Sequence, residues 1–209
     1  MTGPGKIIFQ NGDIYQGDWQ SNKATGYGRY LYQDGGIYEG LWQNNLQQGY
    51  GKEIWSDGSY YKGEFHKGLK HGQGVYDWGN GVSYEGEWSG NLMGGYGVFV
   101  GGDGGCFEGE FCGGVYEGQG RLNGKDGSVY EGEWRNGMRW GMGRVLEKNG
   151  TGYKGMWRED LKDGVGLGFD KKGEVRNECW REGVLDLDYG KRSGYVEGGG
   201  GVGSDTDRE

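Results

Sequence analysis

A single proline, three cysteines and a hydrophobic content of only 33 % are the first features of this 209-residue chain, and each shortage excludes something. One proline rules out collagen, which needs abundant proline in strict Gly-X-Y order. Cys106, Cys112 and Cys179 are odd in number and show no CxxC spacing, so neither a disulfide framework nor a zinc cage is expected. No run approaches the ~18 apolar residues of a membrane-spanning helix. The opening Met-Thr-Gly-Pro-Gly lacks the basic and apolar regions of a signal peptide, so an intracellular, soluble protein is expected. Positive charge is also scarce: the balance of −8 opposes a sequence-independent grip on nucleic acid, and no nucleic-acid partner is expected.

What the chain has instead is 53 glycines and 15 % aromatic residues. Few aliphatics leave too little to fill a large compact core, whereas 9 Trp, 16 Tyr and 6 Phe are costly to leave in water. A folded, glycine-rich aromatic array remains.

The array has a period of 23 residues. Tyr-x-Gly-x-Trp, or a Phe variant, recurs with its first ring at Tyr15, Tyr38, Tyr61, Tyr84, Phe107, Tyr130 and Tyr153. The second ring follows at Trp19, Trp42, Phe65, Trp88, Phe111, Trp134 and Trp157. Each copy then carries Gly-x-Gly, from Gly26/Gly28 to Gly164/Gly166. Asp-Gly or Asn-Gly pairs such as Asp34-Gly35, Asn80-Gly81 and Asn149-Gly150 precede the next aromatic and predict type I′ hairpins. A second turn falls at Asn22, Asn45, Gly68, Asn91, Gly114, Gly137 and Asp160, residues that tolerate positive φ. Each repeat reads as two short strands and two turns. Helix is excluded because a glycine every few residues costs about 1 kcal/mol each relative to alanine.

The expected fold is therefore all-β: a single-layer, elongated antiparallel meander of 23-residue β-hairpin repeats. In a strand, residues two apart share a face, so Tyr, Gly and Trp project together. Residues 1–183 form about seven and a half copies, the last degenerate because Arg176 and Glu178 stand where Tyr and Gly belong while Trp180 keeps the register. Residues 184–209 read as a terminal strand, Val184–Tyr189, followed by a flexible glycine-rich acidic tail.

These repeats resemble the MORN (membrane occupation and recognition nexus) family, whose pattern is close to Tyr-x-Gly-x-Trp, then Gly, then His-Gly-x-Gly; the stretch from Tyr61 to Gly74 fits almost letter for letter. The resemblance implies hairpin repeats in one elongated sheet with a groove. It also implies company with radial-spoke and other cytoskeletal proteins, junction proteins, lipid kinases and a methyltransferase whose catalytic domain is separate. Only His71 keeps the family histidine; Thr25, Gln48, Gly94, Glu117, Trp140 and Asp163 occupy its place elsewhere.

Catalysis finds no support in the side chains. The pairs Glu85/Glu87, Glu108/Glu110 and Glu131/Glu133 read as a solvated face rather than a water-restricted acid–base site. His66 and His71 lack a third metal ligand, no Gly-x-Ser-x-Gly elbow occurs, and no metal or cofactor is expected. Charge is uneven: residues 1–104 balance to −4, whereas residues 121–181 balance to +3. Arg135, Arg139, Arg144, Lys148, Lys154 and Arg158 are thus candidates for a patch meeting an acidic partner or a lipid headgroup.

The expected function is a non-catalytic scaffold whose fourteen signature rings line a groove for a peptide or subunit, in the cytoplasm or cytoskeleton and, by the resemblance, in a cilium or flagellum. Protein partners in a larger assembly and an end-to-end homodimer are the expected associations. Attachment to anionic membrane through the basic repeats is the alternative, less favoured because stable anchoring takes two signals.

Overall fold

A computed structural model describes residues 1–189; the expected acidic tail lies outside the described residues. Seventeen strands, from Gly3–Ile8 to Val184–Leu185, form one open sheet in which each strand pairs antiparallel with its neighbours in sequence. Sixteen strand-to-strand steps of ~4.8 Å give a contour of roughly 77 Å across the sheet.

Register explains the glycines. Gly5 faces Gly17, Gly17 faces Gly28, Gly28 faces Gly40, and the row continues across the sheet to Gly166, where it ends on Glu178. Each signature tyrosine lays its ring across two members of this row. A methyl group on Gly86 would lie 2.5 Å from the Gly97 Cα, 2.6 Å from the Tyr84 hydroxyl and 2.7 Å from the Tyr96 carbonyl oxygen. The row is bare because both a backbone and a ring occupy the space.

The other glycine of Gly-x-Gly has a different task. Tyr15 pairs with Tyr30 and Gly17 with Gly28, yet Asp18 pairs with Thr25, so two extra residues bulge from the second strand. Gly26 takes φ 63° at this bulge, and Gly49, Gly95 and Gly141 do likewise at 72°, 53° and 59° in their copies.

The rings on the glycine row interlock edge-to-face. Tyr61 meets Phe65 of its own repeat at 5.1 Å and Trp88 of the next at 5.3 Å, and the same zigzag runs from Trp19 to Trp180. Such pairs contribute ~0.5–1.5 kcal/mol each beyond their buried area. The polar ends are satisfied: the Tyr61 hydroxyl donates to Glu64 O at 2.9 Å, and the Trp88 indole N–H donates to Gly74 O at 3.1 Å. Phe107, which has no hydroxyl, cannot donate to the Glu110 carbonyl in this way. Phe107→Tyr is therefore expected to raise stability by about 1 kcal/mol, read as an upward shift of the urea midpoint at unchanged m; a lowered midpoint would contradict the hydroxyl's place in the packing.

Neighbouring repeats are also clipped at their turns. The Asn45 backbone N–H donates to Ala24 O at 3.1 Å while its side-chain oxygen accepts from Ala24 N–H at 2.7 Å. Asn91 repeats both bonds with Lys70, and Asp160 with Arg139.

Two expectations are corrected. Most Asp-Gly pairs are not type I′ centres. In the Asp57-Gly58 hairpin the Gly58 N–H donates to Trp55 O and only Gly58 has positive φ, so a type I turn is followed by a left-handed glycine. The two-residue turns with both φ positive are the others, such as Asn44-Asn45 and Asn136-Gly137; among the Asp/Asn-Gly pairs that precede a signature aromatic, only Asn80-Gly81 adopts that form. The expected terminal strand to Tyr189 is also too long. The strand ends at Leu185: one further bond in register runs from the Asp186 N–H to Cys179 O, the Tyr189 N–H then closes a turn onto Asp186 O, and Leu187 is 82 % exposed.

The degenerate last copy caps the glycine row with charge. The Glu178 carboxylate, 5 % exposed, accepts from Arg176 at 2.7 Å and from the Trp180 indole N–H at 2.8 Å. It thereby serves the indole that glycine carbonyls serve in earlier copies.

Candidate binding surface

The fourteen signature rings were expected to line an open groove; the structure makes them the core. Tyr38, Tyr61, Tyr84, Phe107 and Tyr153 are 0 % exposed, and of the second rings Trp42 alone is half-buried. The reason is geometric: rings that lie on glycine and interlock along the array cover one another. Over the rings on this side runs a column starting the second strands, one residue per repeat: Ala24, which is buried, then the half-buried Gln47, Lys70, Met93, Tyr116, Arg139 and Lys162.

Cations in this column sit on the rings. Arg139 lies 4.2 Å above the Trp157 ring, and its Nε is 3.1 Å from Asp160. Lys162 lies 4.3 Å from Trp180 and 4.7 Å from Tyr153, and burial holds its pKa below the usual lysine value. Lys70 is likewise lowered by burial, an effect that the Glu53 carboxylate opposes. Burial in turn raises the Glu53 pKa, against a hydrogen bond from the Tyr32 hydroxyl.

Beside this column runs a half-buried aromatic strip that the repeat signature does not announce. Trp55 stacks on Tyr76 at 5.0 Å and Tyr76 on Trp78 at 4.2 Å, with Trp78 39 % exposed.

On the opposite face the glutamates divide. Glu64, Glu87, Glu110 and Glu133 cap the bulges: the Gln119 N–H donates to Glu110 at 3.0 Å and the Met142 N–H to Glu133 at 3.0 Å. Their pair-mates stay at the surface, where Glu131 meets Arg121 at 2.9 Å and Glu108 accepts from the Tyr96 hydroxyl at 3.0 Å. The solvated-face reading holds for the pairs, of which only Glu133 is half-buried, but Glu87, Glu110 and Glu133 have the added task of capping bulges. A carboxylate aimed at a bulge N–H was not legible without the bulge. In two copies the cap is missing, with Leu41 and Met156 in its place, and there the face turns apolar. Leu41 lies between exposed Tyr27 and Tyr50; Met156 lies beside exposed Met142, Val165 and Leu167.

The six basic candidates do not form one patch. Arg139 is on the ring side, bound to Asp160; Arg158 is paired with Asp163 at 3.0 Å; Arg135 lies over Trp140. Lys148 lies in the hairpin loop near Gly127. Only Arg144 and Lys154 are direct cross-strand partners, on the apolar-patched face next to Met142 and Met156. Alternation along a strand put them together, and the turn residues between them put the others elsewhere.

Along the two-residue turns runs a further row absent from the sequence reading. Leu46, Leu69, Leu92, Val115, Leu161 and Val184 recur every 23 residues or a multiple of it and are 43–70 % exposed. Members 23 residues apart stand two strands, or ~9.6 Å, apart.

The model for the MORN repeat matches residues 15–37, 38–60, 61–83, 84–106, 107–129, 130–151 and 153–167. No curated protein matches the chain. Among solved structures, the TCP domain of Drosophila melanogaster SAS-4 (dCPAP), in complex with a proline-rich motif of Ana2 (dSTIL), aligns at 8 % identity over 85 % of this chain and 90 % of that one, with a TM-score of 0.47. The TCP10 domain of Danio rerio CPAP aligns at 13 % identity over 88 % of each chain with a TM-score of 0.47. A CPAP G-box domain aligns at 9 % identity over 84 % and 97 % with a TM-score of 0.46.

Proposed function

This chain belongs to the MORN repeat family, and from that premise we propose that it is a non-catalytic scaffold that holds a protein partner along its length, in an intracellular, cytoskeletal assembly. The observation that carries this reading is the exposed apolar row at the two-residue turns, Leu46 to Val184. Apolar side chains repeated at ~9.6 Å along an open sheet offer a partner many equivalent contacts in register. Buried signature rings give the array stiffness; the contacts fall to the row and to the exposed rings.

Replacing Leu46, Leu69 and Leu92 with Gln tests it. The circular dichroism spectrum is expected to stay unchanged, because these side chains are about half exposed, while the partner proteins that co-purify with the wild type from native extract are lost. Retention of the same partners by the variant would overturn the reading.

A second reading has its own observation: Arg144 and Lys154 are adjacent and flanked by exposed Met142, Met156, Val165 and Leu167, an arrangement suited to an anionic lipid surface. Charge reversal of both cations is expected to abolish sedimentation with phosphatidylserine vesicles if that surface works on membranes; wild-type protein that ignores such vesicles would dismiss it.

A further inference from the structure

The exposed row at the two-residue turns is continuous, because Met138, half-buried, fills the one place between Val115 and Leu161. Lys23 holds the position before Leu46, so the apolar run has a charged start. Gly40, Gly51 and Gly63 stand directly opposite one another on neighbouring strands. Equivalent residues of successive repeats are therefore displaced across the strands and not along them. The seven apolar places from Leu46 to Val184 stand in file over roughly 58 Å, six steps of ~9.6 Å.

Each member has a cross-strand neighbour beside it, across its own turn. In the first half these neighbours are uncharged: Gln43 beside Leu46, His66 beside Leu69, Ser89 beside Leu92 and Cys112 beside Val115. In the second half they are all arginine, with Arg135 beside Met138, Arg158 beside Leu161 and Arg181 beside Val184. The three arginines are exposed, Arg158 by 65 % of its side chain even while it meets Asp163. The turns carry charge of the other sense: Lys67 lies in the turn before Leu69, whereas Glu159 and Asp160 lie before Leu161 and Glu182 before Val184.

We propose that the occupant of this row is a second copy of the chain, packed side by side and antiparallel, and not end to end, with Val115 on the two-fold axis. The proposal rests on the scaffold reading for the row's role as a contact surface, and it names what covers that surface. A second copy repeats the spacing of the row at every step, whereas a straight α-helix advances ~10.5 Å per heptad and drifts about 5 Å over six steps. Turning one copy end for end sets Leu92 against Met138, Leu69 against Leu161 and Leu46 against Val184, the self-complementary pattern of an isologous interface. It lays the three arginines over Ser89, His66 and Gln43, and it puts Lys67 across from Glu159 and Asp160. A parallel pair stacks each arginine on its own counterpart, and like charges directly opposed are destabilising. Beyond the row, residues 1–104 balance to −4 and residues 121–181 to +3, so the antiparallel arrangement brings opposite signs together. A strip about 10 Å wide along the row covers roughly 600 Å² per copy, about 1,200 Å² in all, which reaches the lower bound of a standard specific interface.

Two measurements on the purified full-length chain test the pair. Sedimentation velocity over a concentration series is expected to show a monomer–dimer equilibrium in the micromolar range. Val115→Asp places two carboxylates at the axis and is expected to weaken the dimer at least about tenfold with an unchanged circular dichroism spectrum. Leu92→Gln, at a side chain 54 % exposed, is expected to weaken it several-fold. A short bismaleimide then reads the orientation. Cys112 is exposed and pairs with Val115, so the Cys112 thiols of the two copies stand about 10 Å apart across the axis, while their Cys179 thiols stand roughly 50 Å apart. Peptide mapping is expected to find Cys112 linked to Cys112. A wild type that stays monomeric to about 0.1 mM, a dimer undiminished in both variants, a Cys179–Cys179 link, or a dimer without the Cys112–Cys112 link would each overturn the antiparallel pair. The scaffold reading fails separately. A monomeric wild type whose Leu46/Leu69/Leu92 variant still loses its co-purifying proteins leaves that reading standing with a foreign protein on the row; a dimer whose same variant keeps those proteins leaves the pair standing alone.

Discussion

Gly86→Val is expected to unfold the middle of the array. Gly86 sits between Gly74 and Gly97 in the glycine row, under the Tyr84 ring and beside the Tyr96 carbonyl. A Cβ there meets the Gly97 backbone at 2.5 Å, and backbone cannot move aside as a side-chain tip can. The added branches of valine force Tyr84 off its place, and Tyr84 contacts both Trp88 at 5.2 Å and Phe111 at 4.9 Å, so the damage spreads into the next repeat. Overpacking of a tight core costs about 1–3 kcal/mol and occasionally more; with backbone on one side and a locked ring on the other, the upper end or beyond is expected. Gly90→Val offers the comparison, since its surroundings hold nothing within 4 Å and only its positive φ of 58° is at stake. Thermal melts should place the Gly86 variant far below the Gly90 variant. Equal melting temperatures would remove the glycine row as the reason for the repeat.

Alkaline pH is expected to unfold the protein cooperatively between pH 10 and 12. Burial raises the phenols of Tyr15, Tyr84 and Tyr153 from 10.0 to about 12, with nearby carboxylates adding to the effect. Tyr38, Tyr61 and Tyr130 are raised further in the same direction by burial. In the unfolded chain these hydroxyls lose their protons near pH 10; in the folded chain they keep them. Between the two values the unfolded state binds fewer protons, so stability falls as pH rises. Below pH 10 both states hold the proton, and the contribution is fully present. Six such groups in one interlocked ladder make the loss steep. Far-ultraviolet circular dichroism and phenolate absorbance at 295 nm should therefore change together, whereas Tyr27 and Tyr96, over half exposed, can titrate without unfolding. Ladder tyrosines that ionise near pH 10 with the strand signal intact would contradict their burial.

The sequence showed the strands and their register because each repeat column has a single dominant requirement. A ring must lie on two glycines, so Tyr61, Gly63 and Gly74 cannot vary independently, and the period of 23 follows. Which rings form the core and which stay in water was less legible. Tyr50 and Tyr61 are the same residue type eleven positions apart, yet one is 54 % exposed and the other 0 %, because the bulge at Gly49 sets which face each strand position takes. Local propensity carries no record of a bulge. The same feature hid the capping glutamates, whose role appears only when the backbone N–H nine residues on is seen to turn toward them. Turn type failed for a related reason: Asp-Gly fits two hairpin geometries, and the extra residues between strands selected the one in which glycine follows the turn. The split of the basic candidates was invisible for want of partners, since Asp160 and Asp163, which engage Arg139 and Arg158, lie in the next turn and strand.

One assignment is central: the signature rings are interior, and the rings between the two glycines of Gly-x-Gly, Tyr27, Tyr50 and Tyr96, face solvent. Hydroxyl-radical footprinting read by mass spectrometry tests it residue by residue in the native protein. Tyr27, Tyr50 and Tyr96 are expected to be oxidised rapidly while Tyr38, Tyr61 and Tyr84 stay protected until the chain unfolds. Oxidation of Tyr38, Tyr61 and Tyr84 at the rate of Tyr27, Tyr50 and Tyr96 under native conditions would contradict it.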